Sequence, residues 1–342
     1  MDLATLWFIA LAVLWIGFLL LEGFDFGVGM FVLFAGRDER DRRHMLNTIG
    51  PVWDGNEVWL ITAGAATFAA FPLWYASLFS ALYVPLVIVL FGLIVRAVSI
   101  EYRSKAATDR GRWGWTLCLG WGSAIAAFGI GAMLAITTTG LPIDENAIRV
   151  GGPFAWLTIP AVIGGLGVVG FSLVHGATFL ALKTDGPLRE RARRFVTVAA
   201  PIALLPIVAW VILVTWQGGK PWAWALVAVA AIAAVIGWFA NRAGREGWAF
   251  TGFSVLVTAG AAAIFASVYP VVLPSTIDPA FSLTVANASS SDYTLGVMSV
   301  VALVGLPIVL GYQAWSYWVF RKRLVAEAIP DAKPVVAAVR QP

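Results

Sequence analysis

The chain has 342 residues, of which 60% are hydrophobic and only 12% charged, with a mean hydropathy of +0.84. Soluble domains carry roughly 25% charged residues, so a water-soluble enzyme is excluded, no nucleic-acid partner is expected, and an all-α polytopic membrane protein is predicted. The net charge of +4 is informative only through its distribution.

Nine stretches are long enough to cross ~30 Å of hydrocarbon as helices: Leu3–Phe34, Val52–Phe71, Trp74–Glu101, Trp115–Thr137, Phe154–Leu182, Phe195–Trp216, Pro221–Ala240, Trp248–Tyr269 and Thr294–Phe320. The first lacks a basic leader and runs well past the length of a signal-peptide core, so it reads as a span. Its LEGFDFGVGM segment sets Glu22 and Asp25 one turn apart among Gly23, Gly27 and Gly29. Glycines allow close helix approach in lipid, and the acids face whatever approaches. The GFDFGVG pattern is not a nucleotide loop, because it follows no strand and its glycines are wrongly spaced. The second span opens as PVWDGNEVWLIT, with Asp54, Asn56 and Glu57 between two tryptophans. Asp54 and Glu57 are three residues apart and lean to one helix face. The third span holds Arg96, with Glu101 a turn and a half later, and the fifth holds His175. The lone Cys118 rules out an internal disulfide and any CxxC site.

The connections set the orientation. Arg37, Arg40, Arg42 and Arg43 follow the first span, and Arg103, Lys105, Arg110 and Arg112 follow the third. Lys183, Arg189, Arg191, Arg193 and Arg194 follow the fifth, Arg242 and Arg245 the seventh, and Arg321, Lys322, Arg323, Lys333 and Arg340 the ninth. That is 20 basic residues on one side against Arg149 and Lys220 on the other. The positive-inside rule makes the basic side cytoplasmic, with the N-terminus outside and the C-terminus inside. An odd number of spans requires the same. Residues 1–323 read as one transmembrane unit, a lone span followed by two groups of four, and 324–342 as a mobile cytoplasmic tail. The outer connection Pro270–Tyr293, rich in Pro, Ser and Asn, reads as an ordered cap.

Charged groups inside lipid cost ~2.5–3.5 kcal/mol even on lenient scales, so they face a bundle interior or a wet cavity. Arg96 needs a carboxylate partner, with Asp25, Asp54 and Glu57 as candidates; Glu101 is a further acid for pairing. Such a pair can also serve only to fix helix register. Glu22, Asp25, Asp54 and Glu57 outnumber the one buried cation, so some of them sit protonated or beside water. That is the chemistry of a proton relay. His175 is one of two histidines, the other being His44 in the first loop. Haem needs axial ligands, and these two supply no multi-haem site, so the chain is expected to carry no redox centre of its own; no metal site is predicted.

The blocks EGFDFGVGM at 22–30, NTIGPVWDGNEVWLITAG at 47–64, Arg96 with EYRSK at 101–105, and LPST…SLTVANASS at 273–290 together resemble subunit II of the cytochrome bd-type quinol oxidases. The resemblance runs in order along nearly the whole chain. It implies a heterodimer in the bacterial cytoplasmic (inner) membrane, in which subunit I carries two b-type haems, the d-type haem and the quinol-oxidation site. Subunit II is its haem-free partner. The complex oxidises quinol with oxygen, forms water and builds a proton gradient from cytoplasmic protons without pumping. Asp54, as the aspartate of the WDGN block, would lie on the proton path toward the oxygen-reducing haem. A structural quinone against this subunit, bound lipid and small accessory membrane subunits also fit the resemblance. Glu57 departs from the glutamine common in the family, and His175 matches no family role. Two other readings stand beside this one: a proton-coupled secondary transporter, which leaves the WDGN block unexplained, and a scaffold for the haem subunit without a proton role.

Overall fold

A computed structural model describes residues 2–325. Thirteen helices follow in order: α1 (Leu3–Phe34), α2 (Glu39–Ile49), α3 (Trp53–Ala70), α4 (Pro72–Ala81), α5 (Tyr83–Tyr102), α6 (Asp109–Thr139), α7 (Ile159–Lys183), α8 (Gly186–Ala203), α9 (Leu205–Gly218), α10 (Ala223–Arg242), α11 (Glu246–Val268), α12 (Val285–Ala288) and α13 (Asp292–Val319). A two-stranded antiparallel hairpin, β1 (Val271–Leu273) with β2 (Leu283–Thr284), lies between α11 and α12. The predicted tail lies outside the described residues from 326 onward.

Among the described residues, eight helical runs are long and apolar enough to cross a membrane: α1, α5, α6, α7, α8 with α9, α10, α11 and α13. The remaining predicted span corresponds to α3, an 18-residue helix whose first turns hold Asp54, Asn56 and Glu57. Two predicted spans are broken helices. Trp74–Glu101 divides at Leu82, between α4 and α5, and Phe195–Trp216 divides at Leu204, between α8 and α9. Pro85 and Pro206 follow these breaks; proline has no N–H for the carbonyl one turn earlier, so the ladder opens there. The first basic connection is not a plain loop. Asp38 accepts the Asp41 N–H at 2.8 Å and starts α2, which buries His44, Met45, Thr48 and Ile49. An N-cap carboxylate satisfies donors that a helix start leaves bare.

The five basic connections gather at one end. Arg103 makes a two-pronged bond to Glu39 at 2.9 and 2.6 Å, and Arg191 reaches Asp41 at 2.5 Å. Glu246, at the start of α11, takes Arg189 at 2.6 Å and Arg323 at 3.3 Å. The opposite end carries the N-terminus and the two longer connections. Leu141 N–H donates to the Pro274 carbonyl at 3.0 Å, Thr276 N–H returns to Leu141 at 2.9 Å, and Ser290 N–H donates to Ala70 at 2.8 Å. The Pro270–Tyr293 connection is thus an ordered cap. Lys220 closes α11 by donating to the Ala266 carbonyl at 2.9 Å and to that of Tyr269, and partial burial lowers its ammonium from the usual lysine range.

α1 is the hub, packed against α3, α6, α7, α11 and α13. Its approach to α7 is set by two glycines: a Cβ on Gly176 would lie 2.7 Å from the Gly27 Cα, and one on Gly27 would strike the Ser172 carbonyl oxygen. α13, by contrast, buries only Leu295. It is held at its ends and at one point between them. Trp7 Nε1–H donates to Ser299 Oγ at 3.0 Å, Leu324 N–H donates to Lys183 at 2.8 Å, and Trp59 reaches Gln313.

Candidate functional site

The polar residues of α1, α3, α5 and α13 meet inside the bundle. Glu22 and Asp25, three residues apart on α1, point to different neighbours. Glu22 Oε1 lies 2.7 Å from an Arg96 terminal nitrogen, with both side chains fully buried. Glu57 Oε2 lies 3.9 Å from the other terminal nitrogen, and the guanidinium sits over the Phe26 ring at 5.0 Å. The pairing is charge to charge, because the Glu22 oxygens and the Arg96 nitrogens make no aligned hydrogen bond among the described residues. One guanidinium thus faces two carboxylates, with a third, Asp25, buried one turn from Glu22.

Asp25 belongs to a second string. Asn56 Nδ2 donates to Asp25 Oδ2 at 2.7 Å, and Asn56 Oδ1 accepts from Tyr317 Oη at 2.8 Å and Gln313 Nε2 at 3.2 Å. Gln313 Oε1 accepts from Trp59 Nε1 at 2.8 Å. Asp25 Oδ1 is buried with no hydrogen-bond partner among the described residues.

Two expectations need correction. The 2.7 Å partner of Arg96 is Glu22, which was outside the expected set; Asp25 turns instead to Asn56. Of the three acids expected beside Arg96, only Glu57 is within ion-pair distance. Glu101 lies exposed at the basic end, away from Arg96: five residues along a helix turn the side chain by about 140°, so the two cannot share a face. It borders instead a polar crevice of about 340 Å³ with Glu39, Arg43, Trp53, Arg103 and Arg112. Asp54 and Glu57 differ in exposure. Glu57 turns toward Arg96, while Asp54 heads an exposed stripe continued by Val58, Ile61 and Phe68.

Gln313, Tyr317 and Trp59 were not expected at the site. The available signal was GYQAWSYW, where a polar pair at i and i+4 interrupts an apolar span. His175 is packed among aromatic rings. Its ring is stacked between Phe171 at 4.9 Å and Phe250 at 4.5 Å, and Nε2 donates to the Leu20 carbonyl at 3.2 Å. His44 Nε2 is engaged by the Leu324 carbonyl at 3.0 Å. Among the described residues no group of three or more His, Cys, Asp or Glu is arranged to hold a metal ion.

The family model described as cytochrome bd terminal oxidase subunit II matches residues 3–320. The chain is 41% identical over 336 residues to cytochrome bd ubiquinol oxidase subunit 2 of Bacillus subtilis (strain 168), covering 94% of this chain and 97% of that one. It is 35% identical over 372 residues to cytochrome bd-I ubiquinol oxidase subunit 2 of Escherichia coli (strain K12), covering 96% of each. In three dimensions it is similar to a chain of the bd oxidase from Geobacillus thermodenitrificans, with a TM-score of 0.71, 21% identity, and coverage of 94% of this chain and 99% of that one.

Proposed function

The chain belongs to the cytochrome bd terminal oxidase subunit II family, and on that premise we propose that it carries protons toward the oxygen-reducing haem of a partner subunit I. The chain is a subunit of a quinol:oxygen oxidoreductase and a multi-pass membrane protein. Family membership displaces the transporter reading. The observation that carries the proton reading is the burial of Glu22 and Asp25 between helices, with Glu57 beside the same arginine. Three carboxylates with one guanidinium can hold protons as well as charge. Asp54 is the point of exit or entry on this chain's surface. A carboxylate heading a lipid-facing stripe is costly, which favours a protein partner over that face.

The haems reside in subunit I in this reading. A quinone held by this subunit would fit the apolar crevice of about 440 Å³ between α1, α3, α4, α5 and α6, lined by Trp15, Leu60, Trp74, Leu86 and Ile130.

The membrane is the bacterial cytoplasmic membrane, α3 crosses it in addition to the eight runs named above, and residues 1–323 form one transmembrane unit. The basic end faces the cytoplasm and the Pro270–Tyr293 cap faces outward, as the 20-to-2 basic asymmetry implies. A cysteine introduced at Ser289 is expected to react with an impermeant thiol reagent in intact cells, and one at Arg40 only after permeabilisation. The reverse pattern overturns the orientation.

The test of the proton role is Asp54→Asn in the purified complex. The amide keeps the shape and one acceptor but not the titrating proton. Subunit I should copurify with its haem spectrum intact while quinol-dependent oxygen consumption falls steeply, by ~10²-fold if one relay step is lost. Glu57→Gln should matter less, since glutamine is the family's common residue there. Normal turnover in well-assembled Asp54→Asn complex refutes the path through Asp54 and leaves the scaffold role.

A further inference from the structure

We infer that Gln313 and Tyr317, on the last helix, are positioning residues for Asp25: together with Trp59 they lock Asn56 in one orientation and leave Oδ1 as the oxygen of Asp25 that can carry a proton. This deepens the proton-path reading and rests on it.

The fixed donors and acceptors at the two ends of this string cannot reverse. An indole N–H only donates and a backbone carbonyl only accepts. Trp59 Nε1 is 2.8 Å from Gln313, so the atom facing it must be the amide oxygen. The other end of that amide is then a donor, and it faces Asn56 at 3.2 Å, so Asn56 must present its oxygen there. Its nitrogen therefore faces Asp25 Oδ2 at 2.7 Å. The Leu21 carbonyl, 3.4 Å from the same Asn56 nitrogen, fixes that orientation independently. Both constraints agree.

The consequence is a full Asn56. Its two N–H groups go to Leu21 and Asp25, and its oxygen accepts from Gln313 and Tyr317. Asn56 has no capacity left to pass a proton. The Tyr317 hydroxyl must donate to Asn56, because the facing atom is an oxygen without hydrogen, so Tyr317 is committed as well. Asp25 Oδ2 is held as an acceptor, and Oδ1 is the buried atom without a partner among the described residues. Turning Asn56 over would set acceptor against acceptor at Asp25 and Leu21. α13 adds a second constraint that agrees with these two, through Gln313 and Tyr317, which are half-buried on a helix that fully buries a single residue. Its hold on Trp59 and Asn56 thus couples the outermost helix to a buried carboxyl on the hub.

The test uses the whole oxidase and reads the carboxyl band of Asp25 in redox-induced infrared difference spectra, assigned by its loss in Asp25→Asn. Gln313→Leu and Tyr317→Phe are each expected to displace that band and lower oxygen consumption several-fold, with haem content retained. Ser316→Ala, on the same turn but outside the string, should leave the band in place. Trp59→Phe keeps an aromatic ring and removes only the fixed donor, so it should split the band as Gln313 becomes free to turn. It serves as the main variant if Gln313→Leu does not assemble. An unmoved band in Gln313→Leu, or a single unmoved band in Trp59→Phe, overturns the inference. So does the absence of any band lost in Asp25→Asn. A displaced band combined with full turnover in Asp25→Asn would instead refute the proton path while sustaining the positioning of Asp25.

Discussion

Arg96→Met is expected to abolish accumulation of the assembled complex. The guanidinium is fully buried, 2.7 Å from Glu22 and 3.9 Å from Glu57. Methionine fills much of the space but removes the only cation of this cluster. Removing one partner of a buried pair costs ~3–5 kcal/mol, because the other charge stays buried alone. Whole domains are stable by only ~5–15 kcal/mol, so one substitution consumes a large share. The measurement is the yield of detergent-extracted complex and its haem content per milligram of membrane. The double variant Arg96→Met with Glu22→Gln removes both charges and should recover much of that yield. Pairing Arg96→Met with Asp54→Asn should not, since Asp54 lies exposed. Wild-type accumulation of Arg96→Met, or rescue through Asp54 and not Glu22, would refute the pairing described.

Gly27→Leu should be as damaging, for a reason of shape alone. The Cβ of any residue at 27 would strike the Ser172 carbonyl oxygen and lie 2.8 Å from the Gly176 Cα. Both obstacles are backbone, so no rotamer change can yield. α1 and α7 would have to separate, and α1 is the hub of the bundle. Overpacking a well-filled interior costs ~1–3 kcal/mol even when side chains can move; here the cost should exceed that range and the complex should be lost from the membrane. Gly27→Ala should show a lesser but clear fall in thermal stability of the extracted complex. Gly114→Ala is the control, because a Cβ there meets nothing within 4 Å, and alanine favours the helix by ~1 kcal/mol. Equal behaviour of Gly27→Ala and Gly114→Ala would show that the crossing is not set by Gly27.

Much of the site could be read before the fold was known, because lipid makes charge conspicuous. Glu22, Asp25, Glu57 and Arg96 stand out in apolar runs where each would be costly unless turned inward. Which acid faces which base could not be read. Glu22 and Asp25 are three residues apart, and the small angle between them on α1 sends one to α5 and the other to α3. That choice depends on how the helices rotate about their axes, set by contacts such as Gly27 on Gly176. Neutral partners were harder still. Gln313, Tyr317 and Trp59 carry no charge penalty and look like ordinary interfacial residues until α13 is laid against α3.

The helical membrane architecture, the gathering of basic residues at alternate connections and the presence of carboxylates within the spans are all legible in the residues alone. These follow from transfer free energies and chain length, which are local properties. That Arg96 takes Glu22, that Asp54 looks outward while Glu57 looks inward, and that a helix with one fully buried residue closes the string on Asp25 emerges only when the helices are packed together. Those facts depend on helix rotation and crossing, which arise from glycine contacts and hydrogen bonds between segments as much as 292 residues apart in sequence.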